Sequence, residues 1–394
     1  MRKLIPITLA MLVSMPVASQ ELRIATIAPE NSAWVIGMRE GMAEIKERTE
    51  GRVRIKLFSG GIQGNDETVL KKIRIGQLQG AAFTPNLLRR EYKDIILYNL
   101  PMMFNDAVEV AYAREHLDDK LMQGLEEAGY VGFGFASTGF SVILSDVPVR
   151  GVEDLQGKKI WAPEDDPISE SALKALGLNP VQLPLSDVYT GLQTNLIEIM
   201  PGSPQGAVLM QWYTKVDYFT DLPLMYTAGL LVIQKKAFDR LQEADQGVVR
   251  EVMSRFTAEL DAKAPEEEAK AKQAMTRKGV KRIVPDATKI AEIREIVARS
   301  NRQLAERGDF SLALYEELLA ILDEYRSVVA FLERYPDVQV VGLPEPDTEG
   351  PDGGESQMLA VSDAAGGMRD RGAAQSGDQP PTDGSGPDVA VGRQ

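Results

Sequence analysis

Residues 22–85 carry the feature that most constrains the fold: short apolar segments alternate with amphipathic ones, and the punctuation between them is proline or glycine. ELRIATIAP ends at Pro29. ENSAWVIGMREGMAEIKERTEG follows with helical spacing, with Trp34, Met38, Met42 and Ile45 on one face and Gly51 as its stop. In RVRIKLF, Val53, Ile55 and Leu57 alternate with Arg and Lys, as in a half-buried strand. The turn SGGIQGND leads into a helix from Glu67 to about Ile75, and GAAFTP is a buried-type strand ending at Thr84-Pro85. This β-α-β-α-β order requires a parallel sheet with right-handed crossovers, and such sheets bind ligands at the carboxyl ends of their strands.

A second, smaller α/β unit begins near Gly132. GFGFAS and GFSVILS are strand candidates, and GKKIWAP puts Trp161 at the end of a short strand. Glu164, Asp165 and Asp166 follow, with Asp166 before Pro167 reading as the cap of a helix over 168–176. PVQLPL is a strand, Ser186 caps a helix in SDVYTGLQTNLI, and a strand near 198–200 runs into PGSPQG. Gly229–Ile233 is an apolar strand. Residues 243–278 predict one long charged helix, and 287–307 and 310–335 two more, the last with a leucine stripe. From about Leu343 Gly, Pro, Asp and Ser dominate without periodicity, which predicts a disordered acidic tail over 343–394; its one mildly apolar run is Met358–Val361.

Residues 1–19 read as an export signal: Arg2 and Lys3, an apolar core from Leu4 to Val13, then Pro16-Val17-Ala18-Ser19. Cleavage is expected near Ser19-Gln20, giving a periplasmic protein. Losing the two basic residues takes the net charge from −14 to −16, which opposes nucleic acid and anionic lipid as partners. The absence of cysteine excludes disulfides and Cys-ligated zinc. Enzyme chemistry has no constellation: His116, the single histidine, sits in a helix-surface pattern, and neither a Gly-x-Ser-x-Gly elbow nor a Walker run occurs. Glu164–Asp166 lack the spacing of a calcium loop, so neither a metal nor a cofactor is expected.

KERTEGRVRIKLF, GGIQGNDETVLKKIRIGQLQGA, YNLPMMF, EDLQGKKIWAP and ALGLNPVQLPLSDVYTGLQTNLIE together resemble the substrate-binding subunit of TRAP (tripartite ATP-independent periplasmic) transporters, of the dicarboxylate-binding type, over about residues 22–335. The resemblance implies an α/β fold of two lobes with an interlobe cleft, a long bridging helix and C-terminal helices. The implied first lobe is 20–135 plus 230–275, and the second 136–229 plus 276–335. It also implies capture of a small molecule and delivery to TRAP membrane subunits. Family members carry Arg where this chain has Trp161, a second cation near Ser141, and Asn near Gly202-Ser203. An Arg fork suits a carboxylate, and a buried carboxylate without one is costly. The expectation is therefore a hydrophobic or otherwise non-carboxylate ligand in a pocket lined by Trp34, Phe140, Trp161, Tyr189, Met210, Trp212 and Tyr226. Polar contacts are expected from Ser32, Thr84, Asn86, Ser137, Ser141, Gly202 and Ser203. The alternatives are a transporter-independent carrier of hydrophobic molecules working with a periplasmic tetratricopeptide-repeat partner, and an organic-acid receptor.

Overall fold

A computed structural model describes residues 19–334; the expected signal segment and acidic tail lie outside the described residues. β1 (Gln20–Thr26), α1 (Ala33–Arg48), β2 (Val53–Phe58), α2 (Asp66–Arg74) and β3 (Gly80–Phe83) form the anticipated alternation. β1 pairs in parallel with β2 on one side and β3 on the other. α1 starts where the Ser32 hydroxyl accepts the Val35 N–H, and it buries Val35, Met38, Gly41 and Ile45. Two 3-10 segments, Pro85–Leu88 and Lys93–Asn99, lead to α3 (Ala107–Glu127).

β4 (Tyr130–Ser145) is one long strand, where the sequence suggested two. β5 (Ile160–Pro163), α4 (Pro167–Ala175), β6 (Pro180–Leu183), α5 (Val188–Gln193), β7 (Ile199–Gly202) and α6 (Pro204–Leu209) build the second lobe. β8 (Tyr218–Gln234) then runs the full length of β4. All strands share one sheet of order β2-β1-β3-β8-β4-β7-β5-β6. β3 pairs with the Leu230–Ile233 end of β8, and β7 with the Val142–Ser145 end of β4. The two lobes are thus opposite ends of one antiparallel pair, and the expected lobe boundaries at 135/136 and 229/230 fall inside it.

After α7 (Lys235–Phe238), the single helix expected over 243–278 is two: α8 (Glu243–Ala262) and α9 (Ala264–Arg277), separated at Lys263. Pro265 in the first turn of α9 explains the break, because it has no N–H to continue the ladder and its ring crowds the preceding turn. β9 (Lys281–Ile283) adds to β8. α10 (Ala287–Arg307) packs on α4, and α11 (Leu312–Arg334) crosses back to α3.

The first lobe has its core between the sheet and α1 and α8, around Ile24, Val35, Met38, Phe133, Ile233 and Met253. The second has one between the sheet and α5, α6 and α9, around Leu144, Trp161, Val188, Met200 and Trp212. The C-terminal helices are tied to the first lobe by polar bonds. Arg326 Nε and Nη2 each meet a Glu109 oxygen at 2.8 Å, and Nη2 also donates to the Met103 carbonyl. Asn301 donates to Pro101 O, and Arg294 to Met102 O. Burial pushes the Glu109 carboxyl up, but bonds from Arg326 and Asn105 outweigh it and hold it below the usual range. Glu109 is 3% exposed, so removing its partner strands a buried charge. Arg326→Met is expected to cost about 2–3 kcal/mol in urea unfolding at pH 7, at the low end of a broken buried pair because the Arg rim is solvated. Arg326→Met with Glu109→Gln should recover part of that loss.

Candidate ligand cleft and hinge

The carboxyl ends of β1, β2 and β3 open on one edge of the first lobe. Strand spacing puts the β2 and β3 ends, which flank β1, roughly 10 Å apart. Most polar groups there are occupied by local structure. Ser32 caps α1, and Asn65 caps α2 by accepting the Thr68 N–H at 3.0 Å. Glu30 accepts from Arg39 and from Ser59. Two groups are different. The Asn86 Oδ1 is fully buried and has no hydrogen-bond partner among the described residues. Asp66, at the start of α2, makes no ion pair or hydrogen bond through its carboxylate, and burial alone pushes it up to about 6. Thr84 is exposed beside Asn86.

The facing edge belongs to the second lobe. After β5 the chain turns through Asp165, whose φ of 57° is left-handed, a conformation Asp tolerates better than most residues. Asp166 then caps α4, its Oδ1 accepting from the Ile168 and Ser169 amides and its Oδ2 from the Ser169 hydroxyl. The two edges meet. Arg89, just after the Pro85–Leu88 segment, donates to the Asp165 carbonyl, and Arg90 Nη2 pairs with Asp165 Oδ2 at 2.8 Å.

Behind the edges lies the hinge. The β4–β8 register shifts between Ser137 and Gly139, where Gly139 takes φ 80°. The amides freed there are met by side chains. Ser137 N donates to Asp261 Oδ1 at 2.8 Å, Gly139 N to Ser137 Oγ at 3.1 Å, and Phe140 N to Glu268 Oε2 at 3.2 Å. A Cβ on Gly139 would lie 2.1 Å from the Glu268 carboxylate, so glycine is needed for the contact as well as for the turn. Asp261 ends α8 and Glu268 begins α9, one on each side of the Pro265 break. Arg114 of α3 completes the joint: it reaches Asp261 Oδ2 at 2.7 Å, Asp118 at 3.1 Å, the Tyr226 hydroxyl at 3.1 Å and the Phe135 carbonyl at 3.2 Å. Burial pushes the Tyr226 hydroxyl up to about 12, so it stays protonated. A cavity of about 590 Å³ lies here between α3 and the α8–α9 break.

The aromatic residues expected to share one apolar wall are dispersed. Ser137, Phe140 and Tyr226 line the hinge cavity. Trp34 packs edge-to-face on Phe256 of α8, ring centres 5.5 Å apart. Trp161, Tyr189, Met210 and Trp212 join the second-lobe core, Tyr189 with Lys215 over its ring. Strand alternation explains Trp161: Ile160 faces the α4 and α10 side, which turns Trp161 to the α5–α6 side. It is 5% exposed, and its Nε1 donates to Leu183 O at 3.0 Å. Gly202 lets Trp212 close in, since a Cβ there would lie 3.3 Å from the ring. Ser141 is 1% exposed with its hydroxyl on Met225 O, and Ser203 caps α6. The amides of Ser137, Gly139 and Phe140 are all taken by side chains. Sequence reasoning missed Asp66, Arg114, Asp261 and Glu268; Pro265 inside a helical pattern was the available signal for the last two. His116 is exposed on α3 against Tyr112, and no acidic or histidine cluster fit for a metal occurs among the described residues. No helix among them is long and apolar enough to cross a membrane.

The family model of bacterial extracellular solute-binding proteins, family 7, matches residues 24–307. The 2,3-diketo-L-gulonate-binding periplasmic protein of Escherichia coli is 29% identical over 59% of this chain and 71% of its own length. A C4-dicarboxylate-binding periplasmic protein of Rhodobacter capsulatus is 24% identical over 67% of this chain and 80% of its own. A TRAP periplasmic solute-binding protein from Haemophilus influenzae, with bound L-gulonate, superposes with a TM-score of 0.71 at 18% identity, covering 77% of this chain and all (100%) of that one. Another, from Desulfovibrio salexigens with bound orotic acid, gives 0.70 at 19% identity over 78% and 98%.

Two measurements check the placement of these residues. Trp161→Ala is expected to cost about 3–5 kcal/mol in denaturant unfolding, the penalty of emptying a packed core site, whereas a residue lining an open cleft would cost far less. Asp66 titrates above its unfolded value, so its neutral form stabilises the fold below about pH 4 and that contribution is lost as pH rises through about 6. Asp66→Asn should therefore raise stability at pH 7–8 by about 1–2 kcal/mol, a discounted value for a half-buried group, and change nothing at pH 4.

Proposed function

Because the chain belongs to the bacterial extracellular solute-binding proteins of family 7, we propose that it is the solute receptor of a TRAP-type transport system. It closes its two lobes on a small hydrophilic solute and presents the closed form to membrane subunits. The observation that carries this reading is the Arg89/Arg90–Asp165 contact, which brings together the two strand-end edges that flank an interlobe site. The relatives' ligands, diketogulonate and L-gulonate among them, are small polar sugar acids rich in hydroxyl groups. The first-lobe edge supports a solute of that polarity, since its unoccupied groups are Asn86 Oδ1 and the Asp66 carboxylate. No observation supports the apolar ligand expected from the sequence: its aromatic wall is spent in two separate cores and the hinge. Closure is hinge-like, with β4 and β8 bending at their register break.

The test is native mass spectrometry of the full chain purified from periplasm. A bound species of a few hundred daltons, released on denaturation, is expected. Protein that arrives empty, and whose unfolding temperature no member of a broad set of small polar solutes raises, would remove the receptor reading.

A further inference from the structure

We infer that the cleft selects a solute that donates hydrogen bonds and bears no carboxylate, a neutral polyol or an amine, with Asp66 and Asn86 accepting from its hydroxyl or ammonium groups. The inference rests on the receptor reading and deepens it.

Charge carries the first part. The strand-end loops that frame the cleft are 27–32, 59–66 and 84–92 on one lobe, and 164–166, 184–187 and Ser203 on the other. They contain two cations, Arg89 and Arg90, against seven carboxylates. Arg90 is paired with the Asp165 carboxylate, Arg89 donates to the Asp165 carbonyl, and Lys72 of α2 donates to Gln63. Arg39, reaching in from α1, is held by Glu30. Ser141 and Trp161 are buried and hydrogen-bonded elsewhere. A carboxylate entering these loops would lose its hydration and lie among an excess of like charges, a combination that costs more than cleft contacts return. A neutral or cationic solute has no such penalty.

Hydrogen-bond accounting carries the second part. Buried polar groups are nearly always partnered, so a buried acceptor without a partner calls for explanation. Asn86 Oδ1 is such an acceptor. Asp66 is a second, crowded by protein and given no donor by it. They stand on the loops that follow the β3 and β2 ends, the two strands that flank β1. An ionised carboxylate accepts only, so what it takes from a ligand is O–H or N–H. A site whose open groups are acceptors rejects molecules that cannot donate to them.

The experiment is isothermal titration of the full chain with D-glucuronate, D-glucose and D-glucosamine, one ring carrying acid, neutral and amine groups, alongside chemical typing of the solute released from periplasmic protein. Binding of the neutral or amino member at least tenfold tighter than the acid is expected, as is a released solute without a carboxyl group. Glucose against glucosamine separates hydroxyl from ammonium recognition. Asp66→Asn, whose fold the pH argument expects to be at least as stable, should weaken the preferred member tenfold or more. Tighter binding of D-glucuronate, a released acid, or an Asp66→Asn affinity within twofold of the parent would each overturn the inference while leaving the receptor reading intact. If no ring binds and the protein arrives empty, the receptor reading falls and the inference with it.

Discussion

The molecule turns on one joint: the Ser137–Phe140 stretch of β4, where the pairing with β8 slips and backbone amides lose their strand partners. An unpaired amide inside a fold is expensive. Here the cost is met by Asp261 and Glu268, carboxylates from the two sides of a broken helix, and the first is oriented by Arg114. Strand bend and helix bend therefore share atoms. A rotation of one lobe against the other moves both together, which gives a two-lobed receptor a defined closing path instead of a loose one.

Around that joint the lobes divide the work differently. Their interiors are apolar and hold the tryptophans, while the edges that face one another are polar and acidic. The contact between edges is a solvated pair, and such pairs contribute little, on the order of 1 kcal/mol or less. The proposed closure, held by so small a term, would be reversible, as release of a solute requires. The stronger polar bonds lie elsewhere, in the Arg326–Glu109 pair that fastens the C-terminal helix to α3. Stability and switching thus use separate interactions.

The fold was largely legible in the sequence. The alternation through residue 85, the caps at Ser32 and Asp166, and helix 287–307 all rest on local chemistry that a segment carries with it. The resemblance extended that reading to two lobes. α3 was read only as a helical pattern around His116, since its other polar residues face a joint that no local pattern announces. The helix over 243–278 was read as unbroken because its charge pattern continues across Pro265. β4 was divided in two because the slip at the hinge looks, in sequence, like a turn.

The site was legible only in outline. Sequence alone determined which loops end strands and how few cations those loops hold; these depend on residue identity and order. Only the tertiary structure decided which way Trp161 points, because strand alternation fixes two possible faces and packing against α5 and α6 selects one. It also decided that Arg90 is paired with Asp165 while Asp66 and Asn86 remain open. Whether a polar group is satisfied depends on what lies across from it, and residues 90 and 165 come together only when the chain folds.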